Sequence, residues 1–195
     1  MGNNVLLMDK MTKVYPNGFV ANKDVTLSVN HGEIHALLGE NGAGKTTLMK
    51  MLFGFEKPES GRILIDGKEV RIKNALEAIH LGIGMVHQHF MLVPSMTVTE
   101  NLILGNIPRG PMFTINTKKA AETCVELGKK YNMLLDPNKK VMDLSVGGKQ
   151  KLEILKALFL GARILILDEP TAVLTPQESG ELFDTLKKLS KDGHT

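Results

Sequence analysis

Nine residues near the start of the chain, Gly39–Thr47, read GENGAGKTT and decide its fold. They follow an apolar run, EIHALLG, that predicts a strand, and they open the segment KTTLMKMLFG. That segment predicts a helix with Leu48, Met51 and Leu52 on one face. A glycine-rich turn between a strand and a helix lets backbone N–H groups converge on phosphate oxygens, and the helix N-terminus adds its dipole. The pattern therefore predicts a nucleotide-binding loop.

Two side chains of this loop carry chemistry. Lys45 can reach the β- and γ-phosphates of a nucleotide, and the Thr46 hydroxyl can ligate Mg²⁺. The glycines allow the backbone to approach the phosphates closely. We expect the nucleotide to be bound by the whole loop, which consists of Gly39, Glu40, Asn41, Gly42, Ala43, Gly44, Lys45, Thr46 and Thr47.

Composition and charge set the class of the protein. The chain has 195 residues, 43% hydrophobic and 23% charged, as in an ordinary globular protein with one domain and room for a subdomain. The net charge of +3 is mild and there is no arginine-rich run, so nucleic acid is not an expected partner. The single cysteine, Cys124, excludes a disulfide within the chain. No apolar run approaches the ~20 residues that span a bilayer, so a role at a membrane requires a membrane partner.

The order of elements predicts an α/β core interrupted by helices. The first third reads as strands, including a hairpin at Asp66-Gly67 in GRILIDGKEV. The middle is helical, with a capping box from Thr97 to Glu100. The last third contains a helix, a continuous apolar strand, RILILDE, and a helix capped by Thr175. We therefore predict a helical insert at roughly residues 89–155.

Acidic and amide side chains follow two of the predicted strands. Asp168 and Glu169 close ILILDE, where Asp168 can complete a Mg²⁺ shell and Glu169 can polarise an attacking water. The alternative is a solvated pair of carboxylates at a strand end. Gln88 follows the apolar run GIGMV and can contact Mg²⁺ and the water. Its neighbours His87 and His89 lack a third ligand, so we interpret both as structural or surface residues.

Two further features are ambiguous by themselves. Tyr15 lies in a turn ahead of the loop, where its ring could stack on adenine or simply pack against its neighbours. A second glycine-bearing stretch, DLSVGGKQ at Asp143–Gln150, could be no more than a helix N-cap with glycines beside it. The order of the motifs resolves both.

In sequence and spacing, GENGAGKTT, Gln88, LSVGG and ILILDEPTA together resemble the nucleotide-binding subunit of ABC transporters over essentially the whole chain. The family's signature, usually LSGGQ, falls on Leu144–Gly148. The resemblance implies that two such domains dimerise head to tail, with each ATP between the loop of one and the signature of the other. The Ser145 hydroxyl and the Gly147 N–H would then bind the γ-phosphate of the partner's ATP.

The resemblance also assigns roles to the remaining site residues. It implies that Glu169 is the catalytic glutamate, assisted by Gln88 and Lys45. It implies that Thr46, Gln88 and Asp168 hold Mg²⁺, and that Tyr15 stacks on the adenine. ATP and Mg²⁺ are the implied cofactors.

The implied fold is a P-loop NTPase core, a mostly parallel sheet with helices and N-terminal antiparallel strands, carrying a helical subdomain. Residues 1–195 would form one incomplete ABC ATPase domain, with the core at 1–88 and 156–195 and the signature subdomain at 89–155. The implied partners are integral membrane permease subunits, a second ATPase domain and, indirectly, a substrate-binding lipoprotein. The implied location is the cytoplasmic face of the cell membrane.

The subtype is narrower. The stretches LSVGGKQKLEILKAL and LDEPTAVLTPQE look like the first ATPase domain of tandem-domain importers for simple sugars and nucleosides. The implied function is ATP hydrolysis that energises import of such a solute, and we favour a nucleoside. Two positions depart from the family pattern: Gly148 replaces the usual Gln of the signature, and Thr175 replaces an aspartate.

The chain ends at KDGHT, before the strand and switch histidine with which the family continues, and His194 is not that histidine. We therefore expect a C-terminally truncated domain that keeps most nucleotide contacts but lacks full hydrolysis. The alternatives are an ATP-binding module with little or no turnover and a soluble non-transport ABC ATPase. A small-molecule P-loop kinase is a further alternative, but it has no use for Gln88 or the signature.

Overall fold

The structure is a computed structural model, and it describes residues 4–88, 90–104 and 117–195. These residues form strands and helices in an order that mixes the two types. The strands are β1 (Asn4–Val14), β2 (Val20–Asn30), β3 (Ser60–Ile65), β4 (Lys68–Val70), β5 (Ile83–Val86) and β6 (Ile164–Leu167). The α-helices are α1 (Lys45–Leu52), α2 (Ala75–His80), α3 (Val98–Ile103), α4 (Thr117–Tyr131), α5 (Val146–Phe159) and α6 (Pro176–Lys191). The predicted α/β class is confirmed.

Two compact units make up the described chain. The first contains residues 4–84 and Leu189–Thr195, and the second contains the described part of Met85–Lys188. The C-terminal residues belong to the first unit because the Ser190 hydroxyl donates to the Gly32 carbonyl and the Gly32 N–H donates to the Thr195 hydroxyl at 2.9 Å. The division at 89 and 155 that the resemblance implies stays a prediction.

The first unit is built on an antiparallel sheet with the order β2-β1-β3-β4. Its central strand, β1, buries Met8 and Met11 completely. The β3–β4 hairpin turns at Asp66 and Gly67, both with positive φ, as the Asp-Gly pair predicts. The helix α1 contacts β2 and buries Leu48, Met51 and Leu52, the face that the sequence predicts.

One predicted strand is not formed. The run EIHALLG, residues 33–39, has no strand conformation, and its Leu38 side chain is 88% exposed. Apolar residues predict a strand, but a strand forms only where another strand supplies hydrogen-bond partners, and none of the described strands pairs with this run. Four of the six described strands belong to the antiparallel sheet, and β5 and β6 form a separate two-stranded sheet. The described strands therefore do not form the mostly parallel sheet that the resemblance implies.

The second unit combines β6 and part of β5 with helices. The strand β5 is buried at every residue, and the Asp168 N–H donates to the Val86 carbonyl at 3.1 Å. Helices α3, α4 and α5 contact one another. On α4 the structure buries Ala120, Cys124 and Tyr131, while Leu127 is half-buried. Among the helices in the described ranges, none is long and apolar enough to cross a membrane.

The predicted capping box at Thr97 and the predicted cap at Thr175 are both present. At the start of α3, the Thr97 hydroxyl accepts from the Glu100 N–H and the Thr97 N–H donates to the Glu100 carboxylate at 2.7 Å. At the start of α6, Thr175 and Glu178 repeat this exchange. The Thr97 and Thr175 N–H groups are the main cause that lowers the pKa of Glu100 and Glu178 below the ordinary value of 4.5.

This lowering predicts a loss of stability in acid. A carboxyl group with a lowered pKa in the folded state stabilises the fold above its ordinary value of 4.5, and that contribution is lost as pH falls through the folded-state pKa. We expect the double variant E100Q/E178Q to lose less stability than wild type between about pH 5 and pH 3. Urea unfolding across this range measures the effect. The matched control is E69Q, at an exposed residue of β4, and an equal slope in all three proteins would contradict the prediction.

Candidate functional site

The predicted nucleotide loop depends on the glycine at the point where α1 begins. Gly44 has a φ of 84° and is the N-cap of α1. A β-carbon added to it would lie 2.2 Å from the Ala21 carbonyl oxygen and 2.8 Å from the Asn22 amide nitrogen. That amide donates to the Gly44 carbonyl at 3.3 Å. Both the backbone conformation and the close approach of β2 therefore require glycine here.

The Lys45 side chain folds back onto the backbone of its own loop. Its ammonium group donates to the carbonyl oxygens of Gly39 and Glu40, at 2.7 Å in each case. Residues 39–43 are exposed, and Thr46 follows in the first turn of α1. The loop thus brings a cation and a helix N-terminus to one place, and both are groups that bind phosphate.

Tyr15 is placed beside this loop. Its hydroxyl lies 3.4 Å from the Thr47 hydroxyl, and its ring stacks on Phe19 with 6.3 Å between the ring centroids. The Lys13 ammonium lies 5.4 Å from the centroid of the Tyr15 ring. The ring therefore packs against a neighbour and also lies next to the loop, so its two sequence-based interpretations are compatible.

In the second unit the structure brings Gln88 to the acidic pair. The Gln88 side-chain amide donates to the Glu169 carboxylate at 2.8 Å, across 81 residues of sequence. Glu169 has a φ of 49°, in the left-handed region that costs a residue with a side chain about 1–2 kcal/mol. Such strain is found most often at functional sites. His87, next to Gln88, is half-buried, and His89 lies outside the described residues.

The signature forms the start of α5. The Ser145 hydroxyl caps this helix by accepting from the Gly148 N–H at 3.1 Å. Gly147 is buried, and its N–H donates to the Glu178 carboxylate. A β-carbon on Gly147 would lie 2.5 Å from the Glu178 Oε1 atom. The N–H expected to meet a phosphate is thus paired with a carboxylate in this conformation.

Sequence reasoning missed three polar residues around these groups. Glu178 lies three residues after Thr175 in the first turn of α6, and nothing in this spacing indicates that it reaches α5. Glu153 and Asn101 are buried. The only sequence signal for Glu153 is its place among apolar residues of α5, between Leu152 and Ile154.

The site residues thus form two groups, one in each unit. Tyr15 and the loop Gly39–Thr47 belong to the first unit. The second contains Gln88, Ser145, Gly147, Asp168 and Glu169. Within the described ranges there is no cluster of three or more His, Cys, Asp or Glu side chains that could hold a metal ion.

A family comparison supports the motif order. A sequence model described as ABC transporter matches residues 22–172, more than half of the chain. The chain belongs to the ABC transporter family. The match covers Gly39–Thr47, Gln88, the signature and the pair Asp168 and Glu169.

Individual relatives in this family are importer subunits. A guanosine import ATP-binding protein of Bacillus subtilis is 51% identical over 189 residues, which are 97% of this chain and 37% of the relative. A nucleoside import ATP-binding protein of Lactococcus lactis is 50% identical over 190 residues, with the same shares. A ribose import ATP-binding protein of Streptomyces avermitilis is 44% identical over 191 residues, which are 98% of this chain and 36% of the relative. The ABC chain thus spans well under half the length of these relatives.

Solved structures agree with the fold. A nucleotide-free ATP-binding cassette from an ABC transporter gives a TM-score of 0.86 at 26% identity, covering 97% of this chain and 78% of the other. A dimeric cassette in a post-hydrolysis state, bound to ADP and phosphate, gives a TM-score of 0.79 at 28% identity, covering 97% and 85%. The chain therefore has the ATP-binding cassette fold.

Alanine substitutions at Gly42 and Gly44 distinguish the cost of a left-handed backbone from the cost of a steric overlap with β2. Gly42 has a φ of 82°, but an added β-carbon would meet nothing within 4 Å. We expect G42A to lower the free energy of unfolding by about 1–2 kcal/mol, the cost of the left-handed conformation. We expect G44A to lower it by about 3 kcal/mol or more, because its β-carbon also overlaps β2. Urea unfolding measures both, and equal losses would show that the close approach is not present in solution.

The contact between Gly147 and Glu178 predicts coupling between these residues. We expect G147A to lower the free energy of unfolding by about 1–3 kcal/mol, because its β-carbon overlaps the Glu178 carboxylate. The loss should be smaller in an E178A background, where the overlap is removed. The control is G148A, whose β-carbon would meet atoms no closer than 3.4 Å and which should not be destabilising. Additive losses in the G147A/E178A double variant would refute the contact.

Proposed function

We propose that this chain binds and hydrolyses ATP as part of an importer, and that the hydrolysis energises the passage of a small solute through a membrane permease. The observation that carries the proposal is the hydrogen bond from Gln88 to Glu169, at 2.8 Å. It joins two residues that the ABC family pattern assigns to hydrolysis, directly after the strand that ends at Leu167. A solvated pair of surface carboxylates would not be expected to have an amide from a distant segment placed on it.

ATP would be bound by the loop Gly39–Thr47. Its backbone N–H groups and the N-terminus of α1 favour the phosphates. Lys45 would exchange the carbonyl oxygens of Gly39 and Glu40 for phosphate oxygens, which carry full negative charge and bind an ammonium group more strongly. Tyr15, beside Thr47, would stack on the adenine ring.

Mg²⁺ fits the groups that the family pattern assigns to it. Thr46, Gln88 and Asp168 offer a hydroxyl, an amide and a carboxylate, and Mg²⁺ prefers oxygen ligands of these kinds, with phosphate and water completing its shell. When bound, the ion neutralises charge on the β- and γ-phosphates. Asp168 would supply the negative charge of the protein ligand set.

Hydrolysis requires a water placed against the γ-phosphate. Glu169 would accept a hydrogen bond from this water and orient it, and Gln88 would hold the Glu169 carboxylate in place. Lys45 would stabilise the charge that spreads over the transferring phosphoryl oxygens. The strained backbone at Glu169 is consistent with a side chain held for a task rather than for stability.

A second ATPase domain would complete the site. In this arrangement the two domains pair head to tail, and the signature of one, through Ser145 and Gly147, meets the γ-phosphate bound to the other. The proposal is supported by the similarity to a cassette solved as a dimer with ADP and phosphate. Gly147 can take this role only if its N–H exchanges the Glu178 carboxylate for the phosphate.

The remaining partners follow from the importer relatives. The permease subunits would contact the signature subdomain, residues 89–155, while residues 1–88 and 156–195 form the nucleotide core. The chain would lie at the cytoplasmic face of the cell membrane, and a substrate-binding lipoprotein would deliver the solute. We favour a nucleoside over a simple sugar, because identity to the guanosine and nucleoside import proteins, 51% and 50%, exceeds the 44% to a ribose import protein.

One observation favours a second candidate, an ATP-binding module with little turnover. The run 33–39, directly before the loop, is not paired in a sheet, and Leu38 is exposed. A catalytic loop is positioned best when rigid elements support it on both sides. The loop here is supported by α1 and β2 but not by a preceding strand.

Nucleotide binding and steady-state phosphate release separate the two candidates. We expect wild type to bind and hydrolyse MgATP, and E169Q to bind it with similar affinity but to turn over about 10²–10⁴ times more slowly. K45A should lose binding, because the loop loses its cation. The control is E126Q, at an exposed residue of α4, which should match wild type.

Binding without turnover in wild type would support the second candidate, and absence of binding would refute both. The solute is tested in cells whose chromosomal copy carries E169Q. Uptake of labelled guanosine should fall while uptake of labelled ribose does not, and the reverse result would overturn our preference.

A further inference from the structure

The segment that follows Gln88 is held by side chains rather than by regular structure. Residues 90–97 lie between β5 and α3 and belong to none of the helices α1–α6 or strands β1–β6. Their backbone N–H and C=O groups therefore need partners from elsewhere. Two buried polar residues, one on α5 and one on α3, supply several of them.

The residue on α5 is Glu153. It is 5% exposed, and its Oε1 atom accepts a hydrogen bond from the Met91 N–H at 2.5 Å. Burial raises the pKa of this carboxyl group, while the Met91 N–H and the Lys156 charge act in the opposite direction. Burying an acidic group is costly, so a glutamate at this position is not explained by the packing of α5 alone.

The residue on α3 is Asn101, which is fully buried. Its Oδ1 atom accepts from the Val93 N–H at 2.7 Å, and its Nδ2 atom donates to the Val93 carbonyl at 3.0 Å. The same nitrogen donates to the Thr97 carbonyl at 3.1 Å. The backbone of Met91 and Val93 is thus fixed from inside, although their side chains are 62% and 36% exposed.

The segment is also fixed on its other side. The Val86 carbonyl accepts from the Asp168 N–H at 3.1 Å, so β5 is tied to the residue before Glu169. Between Val86 and Met91 lie four residues, 87–90, and Gln88 is one of them. Gln88 is therefore two residues from one fixed backbone position and three from the other, and the place of each fixed position restricts where Gln88 can put its amide.

We propose that Glu153 is a positioning residue for Gln88. By holding the Met91 N–H, it fixes the end of the short stretch and so keeps the Gln88 amide on the Glu169 carboxylate. The inference rests on the proposed function only for the roles given to Gln88 and Glu169.

The test compares variants of the full 195-residue chain by NMR. E153L removes the acceptor but fills its space, and E153Q keeps a neutral acceptor. M91P removes the donor and leaves Glu153 in place. L155V is the matched control, because Leu155 is fully buried on the same helix but belongs to none of these hydrogen bonds. The signals are the Met91 backbone amide and the Gln88 side-chain amide, with E169A as the reference for a Gln88 amide without its partner.

We expect Met91 amide exchange to accelerate about tenfold or more in E153L, because its hydrogen bond to a charged acceptor is lost. In both E153L and M91P, the Gln88 signal should move towards its position in E169A. E153Q and L155V should keep the wild-type Gln88 signal. If E153L does not fold, M91P still decides the question.

An unchanged Gln88 signal in the folded E153L or M91P variant would overturn the proposal, and so would an equal shift in L155V.

Steady-state kinetics adds a second readout. With MgATP, E153L should lower kcat about tenfold or more with KM unchanged, and E153Q should restore it. Because the NMR readout requires no turnover, failure of the proposed ATPase activity and failure of this inference are distinguishable.

Discussion

The nucleotide loop depends on a close approach between two backbones. Gly44, the N-cap of α1, has the left-handed conformation, and the Ala21 carbonyl occupies the space that a side chain at this position would need. Asn22 fixes this junction through its amide, while its Oδ1 atom is buried without a hydrogen-bond partner in the described chain. A buried oxygen atom without a hydrogen-bond partner lowers the stability of the fold. The contact between Gly44 and β2 fixes the start of α1, and therefore the positions of Lys45 and Thr46 in its first turn.

The pair Gln88 and Glu169 in the second unit is positioned in a different way. Gln88 reaches Glu169 from an irregular segment, and irregular segments position side chains poorly unless something else fixes their backbone. Here the fixing groups are buried side chains, Glu153 and Asn101, which replace the hydrogen bonds that a strand would have made. A buried polar network of this kind specifies one conformation because each unpaired group in it is costly.

Glu178 shows how one side chain can serve two helices. Its carboxylate closes the capping box of α6 through Thr175 and also accepts from Gly147 at the start of α5. Both helices direct N-terminal N–H groups towards the same negative charge. The signature of an ABC domain is therefore joined to the helix that follows the acidic pair. In the role proposed for Gly147, a phosphate would have to displace this carboxylate.

The sequence by itself determined whatever depends on neighbours along the chain. The Asp66-Gly67 turn and the caps at Thr97 and Thr175 formed as predicted, because turn and cap geometry are set within four residues. The buried face of α1 also agreed with its periodicity. The order of the motifs was enough to assign the chain to its family, because that order is a property of the sequence and does not depend on packing.

The tertiary structure decided whatever depends on partners distant in sequence. The run 33–39 has the composition of a strand, but none of the strands in the described ranges pairs with it, so pairing rather than propensity determined its conformation. The contact of Glu178 with Gly147 and that of Glu153 with Met91 join residues more than 30 positions apart. No local rule predicts such contacts, because a buried carboxylate is stable only where folding brings it a donor, and which donor is a matter of geometry.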